Sequence, residues 1–270
     1  MKRPAFTLVE LLVVISIIGL ISTIAIVSMN SSKDKARVAA AKQFAAQMDR
    51  VGGDTLVGQW DLDEGAGTTA ADLSGLKNNG TLTGGPTWSS DTPSGSGKSI
   101  SVTATSYVSI PDTDALDIGT GSATRSLWFK TSQADRGIIF RKSDAGGVLG
   151  LLCDIGNGSA GVVKCFLDAG SWFSAAGVYN DGLWHHLACV INRTTNLLSI
   201  YIDGKQRGSW DISYAASNLN ATSLTYIGFS AQGFVGLIDS VHAYSSALAA
   251  MDIRKMYLAE RQNKLTAINK

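Results

Sequence analysis

The sequence predicts a mainly β protein: a two-sheet antiparallel sandwich carried behind one long N-terminal helix, with a short helix near the C-terminus. Three observations predict it. An apolar run extends from Phe6 to Met29 with Glu10 as its only charge, and no further charge comes before Lys33. After Gly53 the texture changes, and short runs of β-branched and aromatic residues alternate with clusters of Gly, Asn, Asp and Ser, the pattern of a sandwich or barrel. The composition agrees: 29 glycines and only 17% charged residues suit a turn-rich β domain. Strands that alternate apolar and polar side chains need a second face against which to bury the apolar side, so two packed sheets are expected. A net charge of +1 leaves no electrostatic footprint for nucleic acid.

Taken in order, Met1–Ala5 is a short basic leader containing Lys2 and Arg3. The run that follows is long enough to span a bilayer, for which about 20 apolar residues suffice. It is too long for the h-region of a signal peptide, which is about 7–15 residues. A charge within a membrane segment costs on the order of 2.5–3.5 kcal/mol when central and usually marks function, which singles out Glu10. From Ser31 the chain is rich in the good helix formers Ala, Lys, Gln and Arg. Val38, Ala41, Phe44, Ala45 and Met48 form a stripe at helical spacing, and Gly52-Gly53 supplies a stop. One helix over 6–52 would be roughly 70 Å long at 1.5 Å per residue, its first part (6–29) transmembrane and its second amphipathic.

Strands are predicted at Leu56–Leu62, Gly80–Thr83, Lys98–Val102, Tyr107–Ile110, Thr124–Thr131, Gly137–Lys142, Val148–Ile155, Val162–Leu167, Leu183–Asn192, Leu197–Ile202, Leu224–Gly228 and Phe234–Tyr244. Asp203-Gly204 is a strong two-residue hairpin signal before Lys205-Gln206-Arg207, and Asn157-Gly158 is a second turn. Ser245-Ser246 is positioned to cap a helix running to Glu260, with Leu248, Met251, Ile253 and Met256 partly on one face. Residues 261–270 read as a frayed tail.

Lys2, Arg3, Pro4 and Ala5, followed by Phe-Thr-Leu-Val-Glu, resemble the processing site of type IV prepilins and pseudopilins. The resemblance implies that prepilin peptidase cuts between Ala5 and Phe6, that the new amine of Phe6 is methylated, and that Glu10 pairs with the terminus of a neighbouring pilin subunit. Ala5 stands where the family most often has Gly, and the helical Pro frequent in the family is missing.

The stretch from Leu56 to about Tyr257 resembles the laminin G-like, concanavalin A-like domains. The resemblance is carried by Leu56 to Gly65, Asp72-Leu73-Ser74-Gly75, Asn78 to Leu82, Tyr107 to Pro111, Trp184 to Ala188, Tyr201 to Gly204, and Gly236 to Asp239 with Tyr244 and Leu248. It implies a jelly roll over 53–260. It also implies a structural Ca2+, with Asp63, Asp72 and Asp239 as the matching acids and backbone carbonyls as further oxygen ligands.

Some members of that superfamily hydrolyse glycans with two carboxylates on one strand. Here the acids Asp61, Asp63 and Glu64 cluster early, but no Glu-x-Asp-x-x-Glu pattern follows, so no catalytic residue is assigned and no enzyme is expected. His185 and His186 point to opposite faces of a strand and cannot share an ion; one is expected to be satisfied within the structure and the other to lie at the surface. Trp88, Trp172, Phe173, Tyr179 and Trp210 are the aromatic candidates for filling core or contacting a ligand. Cys153 and Cys165 flank the Asn157-Gly158 turn and are expected to form a cross-strand disulfide, with Cys189 a buried thiol; the alternative is three buried thiols.

The expectation for function is therefore a type IV pilin-like filament subunit. It would begin as a single-pass precursor in the cytoplasmic membrane and then become extracellular, displaying its sandwich to bind a glycan or a surface protein. A type II secretion pseudopilin is the alternative, and a membrane-anchored glycan hydrolase a remoter one.

Overall fold

The computed structural model describes residues 12, 14–16, 53–144, 149–168, 171–215 and 218–267. Leu12, Val14, Ile15 and Ser16 are helical, and the Ser16 hydroxyl donates to the Leu12 carbonyl at 2.8 Å. The rest of the predicted helix, the cleavage site Ala5–Phe6 and Glu10 lie outside the described residues. Among the described residues no helix is long and apolar enough to cross a membrane. The chain divides into two compact units, Met1–Arg50 and Val51–Lys270.

The second unit opens with a 3₁₀ turn at Gly53–Thr55 and continues through β1 (Leu56–Trp60), β2 (Thr69–Ala70), β3 (Gly80–Thr83), β4 (Thr87–Ser89), β5 (Ser99–Val102), β6 (Tyr107–Ile110), β7 (Ala123–Lys130) and β8 (Gly137–Ser143). It goes on with β9 (Gly150–Ile155), β10 (Val163–Leu167), β11 (Ser171–Ser174), β12 (Trp184–Asn192), β13 (Leu197–Ile202), β14 (Lys205–Asp211), β15 (Thr225–Ile227) and β16 (Gly236–Tyr244), and ends in α1 (Ala250–Ala267). Sheet A has the order β14-β13-β12-β7-β16-β5-β4, and sheet B the order β11-β10-β9-β8-β15-β6-β3-β2. Every strand pairing is antiparallel. The last strand, β16, occupies the middle of sheet A, with β7 on one side and β5 and β1 end to end on the other.

Period-2 alternation sets the two faces of each sheet. In β7, Arg125, Leu127 and Phe129 face the sandwich interior, while Thr124, Ser126 and Trp128 face outward. In β16 a bulge intervenes between Asp239 and His242, with Ser240 at φ +48°. The extra residue shifts the pleat, so that Ile238, Val241 and Ala243 all enter the core. That core, from Trp60 through Ile100, Phe129, Phe140, Leu151, Ile200 and Phe234, lies between the two sheets. Asp203 (φ +54°) and Gly204 (φ +69°) form the predicted two-residue turn between β13 and β14. Both central residues need positive φ in a turn whose twist matches the strands, and Asp-Gly meets that need.

The C-terminal helix differs from expectation at both ends. Ser245 and Ser246 bond back to Thr55 at the start of the domain (Ser245 N to Thr55 O 2.7 Å, Ser246 Oγ to Thr55 Oγ1 2.9 Å) and do not cap it. Residues 261–267, read as a frayed tail, are helical. Ile253 and Met256 are buried against sheet A, whereas Met251, placed by its spacing on the same face, is 68% exposed. The helix is thus rotated so that Ile253, Met256, Tyr257 and Glu260 meet the sheet. Short β2, β4 and β11 carried too few residues to display a period.

Candidate functional site

The two outer faces of the sandwich have different fates. That of sheet A is covered by α1. The Trp128 indole stacks on Tyr257 with ring centres 5.5 Å apart, and its Nε1 donates to Glu260 Oε2 at 2.5 Å. His186 and His242 lie beneath the same carboxylate, 3.9 and 3.8 Å from it. His186 is fully buried and makes no hydrogen bond through either ring nitrogen, so the surface histidine expected of the pair is not at the surface. Its burial depresses its pKa to about 3, aided by the neighbouring His242. His185, on the opposite face, bonds Asp203 at 2.9 Å and Asp181 at 3.1 Å; burial opposes its charge, but the two carboxylates outweigh burial and raise its pKa. Burial lifts the Glu260 carboxyl to about 8, and lifts Asp239 to about 8 with help from the nearby Asp63.

The three acids expected to hold Ca2+ do not converge. Asp72 is buried, and its oxygens accept the backbone amides of Gln59 (3.0 Å), Ser74 (2.9 Å) and Asn78 (2.8 Å). Asp63 accepts the Lys98 amide at 2.5 Å, and Asp239 accepts the Ser240 hydroxyl at 3.2 Å. Asp63 and Asp239 lie close enough to repel, Asp72 is taken up by three backbone amides, and among the described residues the three acids do not come together as a group that could share one ion. A different cation holds the other end of the domain. The ammonium of Lys142, on the interior side of β8, pairs with Asp112, lies 3.2 Å from Asp117, and donates to the carbonyls of Ala221 (2.9 Å) and Ser223 (2.8 Å). Two carboxylates and two carbonyls are an oxygen set of the type a hard cation takes, and here a lysine fills it.

The cysteines meet inside the sandwich. Cys153 and Cys165 are direct cross-strand partners on β9 and β10, as the turn between them implied, and Cys189 reaches them from β12 of the opposite sheet. The expected Cys153–Cys165 disulfide is not formed: all three thiols are free and buried. A third sulfur, that of Cys189, lies within 4.8 Å of both others. Burial pushes the Cys153 and Cys165 thiols up; Cys189, hydrogen-bonded by both and facing the Arg125 guanidinium, moves down.

The outer face of sheet B carries no helix among the described residues, and it gathers aromatic and basic side chains. Trp172 on edge strand β11 is 38% exposed; it packs on Phe166 of β10 (5.1 Å), and the Arg136 guanidinium lies 5.0 Å from its ring centre. Arg136 is fixed by Asp154 at 2.6 Å. Farther across the sheet, Tyr107, Tyr226 and Phe229 form edge-to-face contacts at 5.6 and 4.8 Å, with Arg141 above Phe229 at 4.5 Å. Ile138, Leu152 and Phe166 form an apolar floor between the two groups. Such a platform offers ring faces and guanidinium donors on a rigid sheet, the means by which a flat surface holds a planar or amphipathic ligand. Of the aromatic candidates, only Trp172 belongs to it; Phe173 and Tyr179 are core, and Trp88 and Trp210 pack against the core. Sequence reasoning missed Tyr107, Tyr226 and Phe229. Two of them sat in predicted strands, but nothing in the sequence says that β6 and β15 are neighbours.

The comparisons with known proteins agree with this architecture. The binding domain of Paraclostridial Mosquitocidal Protein 1 superposes with a TM-score of 0.63 at 14% identity, over 76% of this chain and 52% of that one. The receptor binding domain of botulinum neurotoxin C/D mosaic serotype gives 0.60 at 15% identity, over 76% and 51%. The botulinum neurotoxin DC binding domain, solved in complex with rat synaptotagmin II, gives 0.59 at 13% identity, over 76% and 51%. The chain spans about half the length of these structures, and at such identities the likeness is one of fold. Comparison with curated proteins gave no match. A model of the prokaryotic N-terminal methylation motif matches residues 1–26, as the Lys2–Glu10 pattern predicts. A second model, the concanavalin A-like lectin/glucanases superfamily, matches residues 102–254. That match covers more than half of the chain, and the protein belongs to the concanavalin A-like lectin/glucanase superfamily.

Proposed function

We propose that this protein is a type IV pilin-like filament subunit that presents its sandwich outward as a binding module for a glycan or a surface protein. The observation that carries the reading is the joining of a methylation motif at residues 1–26 to a lectin-like sandwich in one chain. In this reading prepilin peptidase cuts before Phe6, the apolar helix enters the filament core, and Glu10 meets the Phe6 amine of a neighbouring subunit. The aromatic and basic outer face of sheet B supports a binding role for the displayed domain, and the fold neighbours titled as binding domains are in keeping with it. The most strongly raised carboxylates, Asp239 and Glu260, lie between α1 and sheet A, and Asp154, also raised, is buried and held by Arg136; none of the three stands in an open groove, which argues against glycan hydrolysis.

The test is incorporation. Glu10→Ala leaves insertion and cleavage intact but removes one partner of a buried pair, a loss of about 3–5 kcal/mol per contact. The variant should be depleted from sheared surface filaments relative to total membrane protein, and wild-type protein from those filaments should begin at a methylated Phe6 by intact mass. Incorporation of the Ala variant at the wild-type level would return the N-terminal segment to a plain anchor.

A further inference from the structure

The chain has three cysteines, and all three converge on one point inside the sandwich. They come from three strands and both sheets: Cys153 on β9, Cys165 on β10 and Cys189 on β12. Their sulfurs all lie within 4.8 Å of one another, each residue is at most 2% exposed, and none is in a disulfide. Three small apolar residues would fill this space equally well, and two sulfurs would suffice for a cross-link. A third sulfur, brought over from the opposite sheet, is required by neither purpose.

The spacing fits a metal. Sulfur bonds to a thiophilic ion such as zinc at about 2.3 Å; three sulfurs set around an ion at that radius lie about 4.0 Å apart, less than 1 Å inside the present limit. No His, Asp or Glu joins the group among the described residues, so no fourth protein ligand is at hand. That favours soft closed-shell ions that accept three thiolates over those that demand a tetrahedron or hard oxygen ligands.

The charge balance fits as well. Arg125 stands directly across from Cys189 in the β7–β12 register, on the same interior face, and is 4% exposed. Its guanidinium donates to three uncharged acceptors, the carbonyls of Thr124 (3.0 Å), Tyr244 (2.9 Å) and Leu116 (2.8 Å). A buried cation is costly unless anionic groups lie near, and the two that act on it are Cys189, which faces it across the strand pair, and Asp117. Three thiolates around a divalent ion carry one net negative charge, and the guanidinium carries one positive.

We propose that Cys153, Cys165 and Cys189 form a buried trithiolate site for a single soft, thiophilic divalent d¹⁰ cation, with Cd2+ as the probe. On binding, three S–H bonds are lost, three protons pass to solvent, three metal–sulfur bonds form and no electron is transferred. Because the sulfurs lie between the sheets, the ion enters before β12 closes over β9 and β10, and it then ties the sheets together as a cross-link would.

The experiment uses the full chain, reduced and held in detergent micelles, unfolded and refolded with or without Cd2+. The expected result is one Cd2+ retained per chain after gel filtration, a thiolate-to-metal charge-transfer band in the ultraviolet, and a higher melting temperature than the metal-free protein. Cys153→Ala, Cys165→Ala and Cys189→Ala should each lose the band, while Asp63→Ala keeps it. Three results would overturn the proposal: folded wild-type protein that retains no Cd2+, retention undiminished in each single Ala variant, or refolding that yields an internal disulfide in place of the metal complex. The wild-type stoichiometry decides the matter even where a core variant fails to fold.

Discussion

Replacing Lys142 with Met tests how much the domain depends on a buried ammonium. The aliphatic stem of Lys142 runs through the interior side of β8, and the residue is 2% exposed. Met preserves most of that stem and removes the charge. What remains is a pair of carboxylates, Asp112 and Asp117, and the carbonyls of Ala221 and Ser223, all deprived of their donor. Removing one partner of a buried pair typically costs about 3–5 kcal/mol. The Asp112 side chain is 41% exposed and recovers hydration, which places the expected loss at the lower end, about 3 kcal/mol. Against the roughly 5–15 kcal/mol of a typical domain, that is a large share. The assay is urea unfolding followed by tryptophan fluorescence, in which the midpoint should fall with little change in slope. Lys142→Ala makes a sharper version: it vacates an oxygen-lined site, and millimolar Ca2+ should recover part of the lost midpoint by binding the folded state alone. A loss below about 1 kcal/mol for Lys142→Met would mean that the pair behaves like an exposed one, and the reasoning would fail.

Further outcomes follow from the covered face, the hairpin and the free face. Asp239 and Glu260 hold protons up to about pH 8 in the folded state but only to about 3.8 and 4.5 when unfolded, so their contribution to stability falls as pH rises between those limits. His186 and His242, depressed from 6.5, act in the opposite sense only below that value, and the raised His185 acts with the acids above it. Between about pH 6.5 and 8, Glu260→Gln should therefore lose less stability than wild type, and equal losses in paired urea melts would refute the assignment. Gly204→Ala forces a Cβ at φ +69° to within 3.1 Å of the Tyr257 ring and should destabilise by about 1–2 kcal/mol in the same assay. Trp172→Ala removes the exposed ring of sheet B and should leave the melting temperature within a few degrees of wild type while abolishing retention on whichever surface glycan or protein a binding screen identifies; unchanged retention would place the binding face elsewhere.

Much of this protein was legible because its signals are local. The methylation motif needs only the order of residues 1–10. The Asp203-Gly204 turn needs only two residues able to take positive φ, and strands such as Tyr107–Ile110 and Leu197–Ile202 announce themselves by alternation at the predicted bounds. Two-residue β2 and three-residue β4 could not, because a period needs more than one repeat to be seen. Met251 was misplaced because spacing gives a helix face only once the neighbouring surface is known.

By itself, then, the sequence determined the sandwich class, since short β-branched and aromatic runs between turn clusters are local signals. Only the tertiary structure decided which strands became neighbours. The final strand, β16, enters the centre of sheet A, and β12 faces β9 and β10 across the core. Those long-range choices bring Cys189 to Cys153 and Cys165, carry Arg125 to their side, and gather Asp112, Asp117, Ala221 and Ser223 around Lys142. They also cover one outer face with α1 and leave Trp172, Tyr226 and Phe229 on the other. Periodicity records which face of the sheet a side chain takes; its partners are fixed by the packing of segments far apart in the chain, which no local pattern encodes.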